Sequence, residues 1–408
     1  MSTTPLPDRP NLEQLRKQAR ELQRENGGKL TEAQRDLART YGFASWPKLA
    51  KHVAVLVALT REPDQVLSTD NPVDEFLRVA CLTYGEGDSA ETTRPSPEIA
   101  TANVWTAAAT ASAEAITRFT RDASTQGGPF AWEPLMYLCY SRVEATEADV
   151  LATANALLDA GADPNVGYLW HGLPTPFTAL TGVFGHGEGD QPAHSHSSAL
   201  ARFLLERGAN ANDPQTLYNR QFRPDNSHLE LLFEFGLGQG DGGPWQARMG
   251  SQIETIPQML ERQMSWALRH DMSERVELLR AHGVPPGTTQ SPRAELGEVI
   301  ALAATDAATA IAQRPALLVQ AVGLAHHDDA RRLVELGWDV NAMGRSDVFS
   351  DEPWQTALHT AVERNDAAMV ELLLKLGADP SITDARFNAT PKGWAEHFGH
   401  AEIASRLP

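Results

Sequence analysis

The fold predicted by this sequence of 408 residues is all-α. It is a solenoid of about seven to eight irregular helix-turn-helix repeats with long inserted loops, preceded by a small helical N-terminal module. Three observations predict it. A leucine-rich helix ending, each time closed by a glycine, recurs six times. The stretches between the endings are unequal, and several are rich in Gly, Pro, His and Ser. Residues 1–60 carry a helical periodicity and a charge of their own.

The endings close on Gly161, Gly208, Gly236, Gly283, Gly337 and Gly377. Four residues before each glycine stands a leucine: Leu157, Leu204, Leu232, Leu279, Leu333 and Leu373. Seven before stands another apolar residue: Ala154, Ala201, Leu229, Val276, Ala330 and Val370. Offsets of three and four put these side chains on one helical face, and the glycine can take the left-handed conformation that stops a helix.

An upstream half is clearest at Thr356-Ala357-Leu358-His359-Thr360-Ala361, whose threonine lies 21 residues before Gly377. The last segment reads Thr390-Pro391, Ala395, Gly399-His400 and Ile403. These motifs resemble the ankyrin repeat, with its Thr-Pro-Leu-His-x-Ala start, its Gly-His turn and its Leu-Leu…Gly-Ala-Asp end. The resemblance is closest over 353–408, extends to 131–212, and is partial elsewhere. It implies an array over residues 100–408 with a polar C-terminal cap at 388–408, and a helical linker or degenerate first repeat at 61–99. It also implies that Thr356 and His359 tie an inner helix to a loop, and that the array binds another macromolecule without catalysis.

The departures from that pattern locate the insertions. The glycines are 47, 28, 47, 54 and 40 residues apart, against about 33 for an undecorated repeat. Segments 184–198, 237–257 and 284–292 read as inserted loops, and 293–314 reads as an extra helix pair. The short spacing after Gly208 implies a trimmed loop there.

Residues 1–60 predict three helices. Leu12, Leu15, Ala19 and Leu22 stripe the first, opening at Asn11, while Ala33, Leu37 and Tyr41 stripe the second, opening at Thr31. The third starts at Ser45-Trp46-Pro47 and carries Leu49, Val53 and Leu56. We expect this module, similar to leader segments of bacterial ankyrin-repeat proteins, to cover the first repeat. A DNA-contacting head is the rival reading, weakened because Lys48 and Lys51 fall where a recognition helix would bury apolar residues.

Charge and composition exclude several functions. The formal net charge is −18, with +4 on residues 1–60 and −22 on the remainder. A field of that sign repels phosphate backbones and attracts a partner with a basic patch, so nucleic-acid binding by the body of the chain is disfavoured. No run approaches the ~20 apolar residues of a membrane helix. The N-terminus lacks an apolar signal core, and the only cysteines are Cys81 and Cys139. A cytoplasmic protein is expected.

Candidate binding residues fall in three sets. Tyr218, Asn219 and Arg220 align with an inner helix, where Arg220 replaces a small residue and must reach water, an acid or a ligand. They would bind a carboxylate or a partner's acidic side chain, unless Arg220 pairs internally with Asp213 or Asp225. Trp170, Trp245 and Trp354 lie in or beside inter-repeat loops, where interface anchors are expected. His186, His194 and His196, with Glu188 and Asp190, fill the insertion at 184–198. No cysteine joins them and their spacing is not that of a zinc helix, so no metal is expected there. A small-molecule pocket formed by Tyr218, Arg220 and this insertion is the second reading. Nucleophile elbows, phosphate-cradling loops and dinucleotide fingerprints are missing from the sequence, and no cofactor is expected.

Overall fold

The computed structural model describes residues 6–7, 9–85, 93–285, 292–345 and 353–408. Helices dominate. The N-terminal module comprises α1 (Leu12–Asn26), α2 (Leu30–Thr40) and α3 (Trp46–Leu59). Asn11 caps α1 by accepting from the Glu13 amide at 2.8 Å. The second helix starts two residues earlier than its sequence suggests: Lys29, not Thr31, is the N-cap, and Glu32 accepts the Lys29 amide at 3.2 Å. Acceptance of that free amide by a helical glutamate, rather than Thr31 capping, sets this boundary.

Segment 61–99 contributes α4 (Pro72–Ala80) and α5 (Pro97–Ala100). Four helix pairs follow: α6 (Val104–Ala109) with α7 (Ala113–Ile116), α8 (Pro134–Tyr140) with α9 (Glu147–Asp159), α10 (Ala179–Phe184) with α11 (Ser197–Glu206), and α12 (Pro214–Arg220) with α13 (Ser227–Glu234). The first helices of these pairs stack in order, as do α7, α9 and α11 behind them. Next come α14 (Gly243–Met249), α15 (Ile256–Arg269) and α16 (Ser273–Ala281).

The segment at 237–257 is therefore not a plain loop. Gly242, with φ of +85°, and Pro244 mark the start of α14, and Trp245, Met249 and Ile253 bury there with Leu56 and Leu169. Glycine and proline flanked a helix that its composition concealed. The insertion at 284–292 lies largely outside the described residues.

The remaining elements are α17 (Pro292–Ala303), α18 (Ala307–Gln313), α19 (Leu317–Gly323), α20 (His327–Glu335), α21 (Ala357–Glu363), α22 (Ala367–Lys375), α23 (Pro391–His397) and α24 (Ala401–Arg406). Two helices thus occupy the segment read as an extra pair. The chain forms two compact units, one of Met1–Met264 with Glu277–Pro285, the other of Ser265–Val276 with Pro286–Pro408. In the second unit α19, α21 and α23 stack in one row and α20, α22 and α24 in the other, around one core cluster running from Leu296 to Leu407.

All six stripe leucines, Leu157 through Leu373, have no exposed surface. Each such burial contributes about 1.5–3 kcal/mol. The six closing glycines have φ between +76° and +107°, the left-handed stop their position implied.

Short strands decorate the loops. Strand β1 (Thr60–Arg61) runs parallel to β2 (Gly167–Trp170), which pairs antiparallel with β3 (Pro176–Thr178), while β4 (Met343–Gly344) pairs antiparallel with β5 (Gln355–Thr356). Among the described residues no hairpin lies between α11 and α12, in line with the trimmed spacing after Gly208. Asparagine side chains lace successive loops together. Asn165 Nδ2 donates to Gly208 O at 3.0 Å, its Oδ1 accepts from the Asn210 amide at 2.8 Å, and Asn210 Nδ2 donates to Gly242 O at 2.7 Å.

Among the described residues, the main packing of the N-terminal module is not on the first helix pair. Its α3 packs on β2 and α14, through Leu56 against Leu169, Trp245, Met249 and Ile253. The apolar stripe of α3 found its complement on an inserted helix, a surface the sequence pattern left invisible.

Candidate functional site

The site is built on α12. Asp213 caps this helix by accepting from the Thr216 amide at 2.9 Å, and Pro214 occupies its first turn. Asp213 also accepts the Thr178 hydroxyl of the preceding repeat. Burial pushes its carboxyl up, against the bonds from Thr178 and Thr216. Leu217 anchors the helix in the core with no exposed surface. Tyr218, Asn219 and Arg220 follow.

The histidine-rich insertion folds over this helix. Gly185, at φ of +61°, turns the chain out of α10, and a Cβ there would stand 2.6 Å from Pro192 O, so only glycine fits. The His186 amide donates to Gln191 O at 2.7 Å and the Gly187 amide donates to Asn219 O at 3.0 Å. Below, Arg142 pins the base: it donates to Pro192 O at 2.8 Å, Gly182 O at 2.7 Å, Ser141 O at 2.9 Å and Cys139 O at 3.2 Å.

The charged side chains are paired across this contact. Tyr218 donates its hydroxyl to Glu188, and Arg262 lies over the Tyr218 ring at 5.6 Å. Burial, then the bond to Glu188, push the tyrosine hydroxyl up to about 12. Arg223 holds Asp190, with Nε donating at 2.9 Å, and Asp190 also bonds His186 Nδ1 at 2.9 Å. Arg220 pairs with Asp225, one of the two internal acids that the sequence offered it. Arg262 pairs with Glu254 at 2.8 Å.

The structure thus brings Tyr218, Asn219, Arg220 and the insertion together, but not on an open wall. Asn219 is 2% and Arg220 8% exposed, because the insertion covers them. The sequence did not single out Arg142, Arg223 or Arg262. An arginine two residues after an inner helix was the available signal for Arg142.

The tryptophans correct the anchor expectation in part. Trp245 is 5% exposed, and its Nε1 donates to Asn165 O at 3.0 Å; its ring is a wedge in the core, not a groove anchor. Trp170 is half-buried on β2 and donates to Thr83 O at 2.9 Å. Trp354 is half-buried, with the Arg345 and Arg386 guanidiniums 5.3 and 4.9 Å from its ring. Trp170 and Trp245 belong to one compact unit and Trp354 to the other.

The three histidines face separate partners. His186 faces Asp190, His194 Nδ1 accepts from the His196 amide at 3.1 Å, and His196 Nε2 bonds Ala145 O at 2.9 Å. Among the described residues no group of three or more His, Cys, Asp or Glu side chains is placed to hold a metal. On the N-terminal module, Lys51 Nζ donates to Ala247 O at 3.2 Å, so α3 is engaged by α14 along one flank.

His194 makes acid stability testable. Burial, with the positive charge of Arg142 and then His196, holds its imidazole down at about 3. The folded protein keeps the ring neutral while the unfolded chain protonates near 6.5, so stability falls as pH drops through 6.5 toward 3. Between pH 7 and pH 5 this residue alone contributes a loss of about 2 kcal/mol. Urea midpoints at the two pH values, for the wild type and His194→Gln, check this. Equal acid sensitivity in both proteins would remove His194 as the cause.

Comparison with known proteins places the repeat. Residues 354–385, which contain Thr356, His359 and Gly377, match the family model described as the ankyrin repeat. That segment is an ankyrin repeat. Solved structures it is similar to include the human ASB11 ankyrin repeat domain, at 18% identity over 64% of this chain and 91% of that one, with a TM-score of 0.27. The ankyrin repeat domain of Bcl-3, a member of the IkappaB protein family, aligns at 18% identity over 61% of this chain and 88% of that one, with a TM-score of 0.23. No curated protein matches the sequence. The ankyrin pair Thr356 and His359 plays the structural part its motif implied. Thr356 Oγ1 and His359 Nδ1 are 2.8 Å apart, and His359 Nε2 bonds Ala389 O of the following loop at 3.0 Å.

Proposed function

We propose that this protein is a non-catalytic adaptor that binds a protein partner through the inner-helix and loop surface of its repeats. Ankyrin repeats generally mediate protein–protein interaction, and the fold is consistent with that role. The observation that carries the reading is the asparagine ladder through Asn165 and Asn210, which holds successive loops in fixed register. Loops held that way lose little entropy on binding. The polar groups around α12 are organised as ion pairs and hydrogen bonds, and the hydroxyl of Tyr218 is too weak an acid to act as a nucleophile at neutral pH.

The balance of −22 beyond residue 60 selects a partner with a basic patch. Affinity capture from the protein's own cell lysate, followed by binding measurements on the captured partner at 50 and 300 mM salt, tests this. We expect affinity to fall about tenfold as the field is screened. A captured partner indifferent to salt, or bound equally by a Tyr218→Ala variant, would speak against this surface.

A small-ligand pocket is the second reading, favoured by the docking of the insertion on α12. A non-protein mass retained in native mass spectrometry of the wild type would give it the lead. No helix among the described residues is long and apolar enough to cross a membrane. We place the protein in a reducing cytoplasm, in keeping with Cys81 and Cys139 as buried cysteines outside any disulfide.

A further inference from the structure

The turn at 187–190 presents two carboxylates to side chains of α12 and the loop that follows it. Glu188 accepts from Tyr218 and Asp190 accepts from Arg223, yet both acids are exposed on their outer sides. Directly beneath, a Cβ on Gly187 would meet the Asn219 carboxamide at 3.4–3.8 Å, so that amide lies flat under the turn. Asn219 Nδ2 and Arg220 Nε are buried there without a hydrogen-bond partner. Buried donors are ordinarily satisfied, and a pair left over on one helix marks a place where an acceptor belongs.

We propose that Glu188 and Asp190 are a built-in pseudo-ligand, occupying a site that takes an acidic peptide segment of a partner. Charge supports the exchange. With the turn in place, the guanidiniums of Arg220, Arg223 and Arg262 face four carboxylates, those of Glu188, Asp190, Asp225 and Glu254. Lifting the turn leaves three cations against two acids. An incoming pair of carboxylates restores the balance, with oxygens free to accept from Tyr218, Arg223 and the two unused donors. The ring of Phe222, edge-on to Tyr218 at 5.4 Å, gives the site an apolar wall.

The turn lifts at its tip once the Gly187 amide releases Asn219 O. Its base is held by Arg142 on Pro192 O and by the bond from the His186 amide to Gln191 O. Gly187, at φ of +102°, and Gly189 flank Glu188. A tethered turn competes at an effective concentration on the order of millimolar, so the resting protein binds free acidic peptide weakly.

This inference deepens the adaptor reading and rests on it for the identity of the ligand as a protein segment. The acidic segment answers the local arginines Arg220, Arg223 and Arg262, and the partner's basic patch answers the net charge of the rest of the chain. The test is fluorescence anisotropy with a labelled hexaglutamate peptide, on the full chain. Glu188→Gln/Asp190→Asn removes the competing charges at exposed positions and should bind the probe at least tenfold more tightly than wild type. Adding Arg223→Gln to that variant should return affinity to the wild-type level or below, with thermal melts confirming that all three proteins are folded. No gain in the first variant overturns the proposal, as does tight binding that survives Arg223→Gln. Equal displacement by free glutarate would also overturn it, by assigning the site to a small dicarboxylate. Because the probe is a peptide and not the natural partner, failure here leaves the salt-dependent capture of that partner as a separate result.

Discussion

Replacing Arg142 with methionine is expected to destabilise the protein by about 3–5 kcal/mol and to lower its thermal midpoint by roughly 10 °C. Arg142 is 8% exposed, and its four described hydrogen bonds all go to backbone carbonyls, those of Cys139, Ser141, Gly182 and Pro192. Its described bonds reach no carboxylate; carbonyl dipoles solvate the cation instead, and burial still pulls its pKa down. Methionine fills a similar volume but strands four acceptors, each costing about 1–3 kcal/mol when buried, partly offset by relief of the buried charge. Because Pro192 belongs to the insertion and Gly182 to α10, the loss should also free the insertion's base. Hydrogen exchange at the His194 amide, which donates to Val183 O at 3.0 Å, reads that directly. A methionine variant within 1 kcal/mol of wild type, or one whose His194 amide stays protected, would show that the insertion is held by other contacts.

Asp384→Ala is expected to cost about 3–5 kcal/mol, expressed in the unit that carries the C-terminal helices. Asp384 is 2% exposed and accepts from the amides of Arg386 at 2.8 Å, Phe387 at 2.6 Å and Ala389 at 3.0 Å, and from Trp394 Nε1 at 3.0 Å. It clamps the loop before α23 to that helix, and His359 binds the same loop through Ala389 O. Burial alone would raise its carboxyl, but the bonds from Phe387, Trp394, Ala389 and Arg386 outweigh it and hold the group below its ordinary value. The stability it contributes is therefore present above the unfolded pKa near 3.9 and is lost as pH falls through the lower, folded value. Asp384→Asn keeps one acceptor oxygen and should fall between alanine and wild type. Chemical denaturation of the three proteins, followed by Trp394 fluorescence, orders them. Alanine and asparagine variants of equal stability would show that the amides find other acceptors.

Local signals carried far in this chain. The leucine stripes ending at Gly161 through Gly377 became buried helix faces with left-handed stops, because helix period and glycine permissiveness act over a single turn. Asn11 capped α1 for the same reason. The Arg220–Asp225 pair was legible as one of the internal alternatives, since the acid lies only five residues on. Trp245 was misplaced because its loop position is visible in the sequence while the α3 stripe that buries it lies some 190 residues away. Helix α14 was missed because Gly242, Gly243 and Pro244 resemble a loop until Trp245 and Met249 find a core to enter.

What the sequence determined by itself was the repeating unit: which residues face inward, where each helix stops, and that residues 354–385 form an ankyrin repeat. Only the tertiary structure decided what lies on what. It laid the histidine-rich insertion over Tyr218, Asn219 and Arg220, set Arg142 beneath its base, and docked α3 on α14. The physical reason is range. Propensity, capping and periodicity are encoded within a few residues, whereas burial and the pairing of charges depend on surfaces that meet only when distant segments fold together.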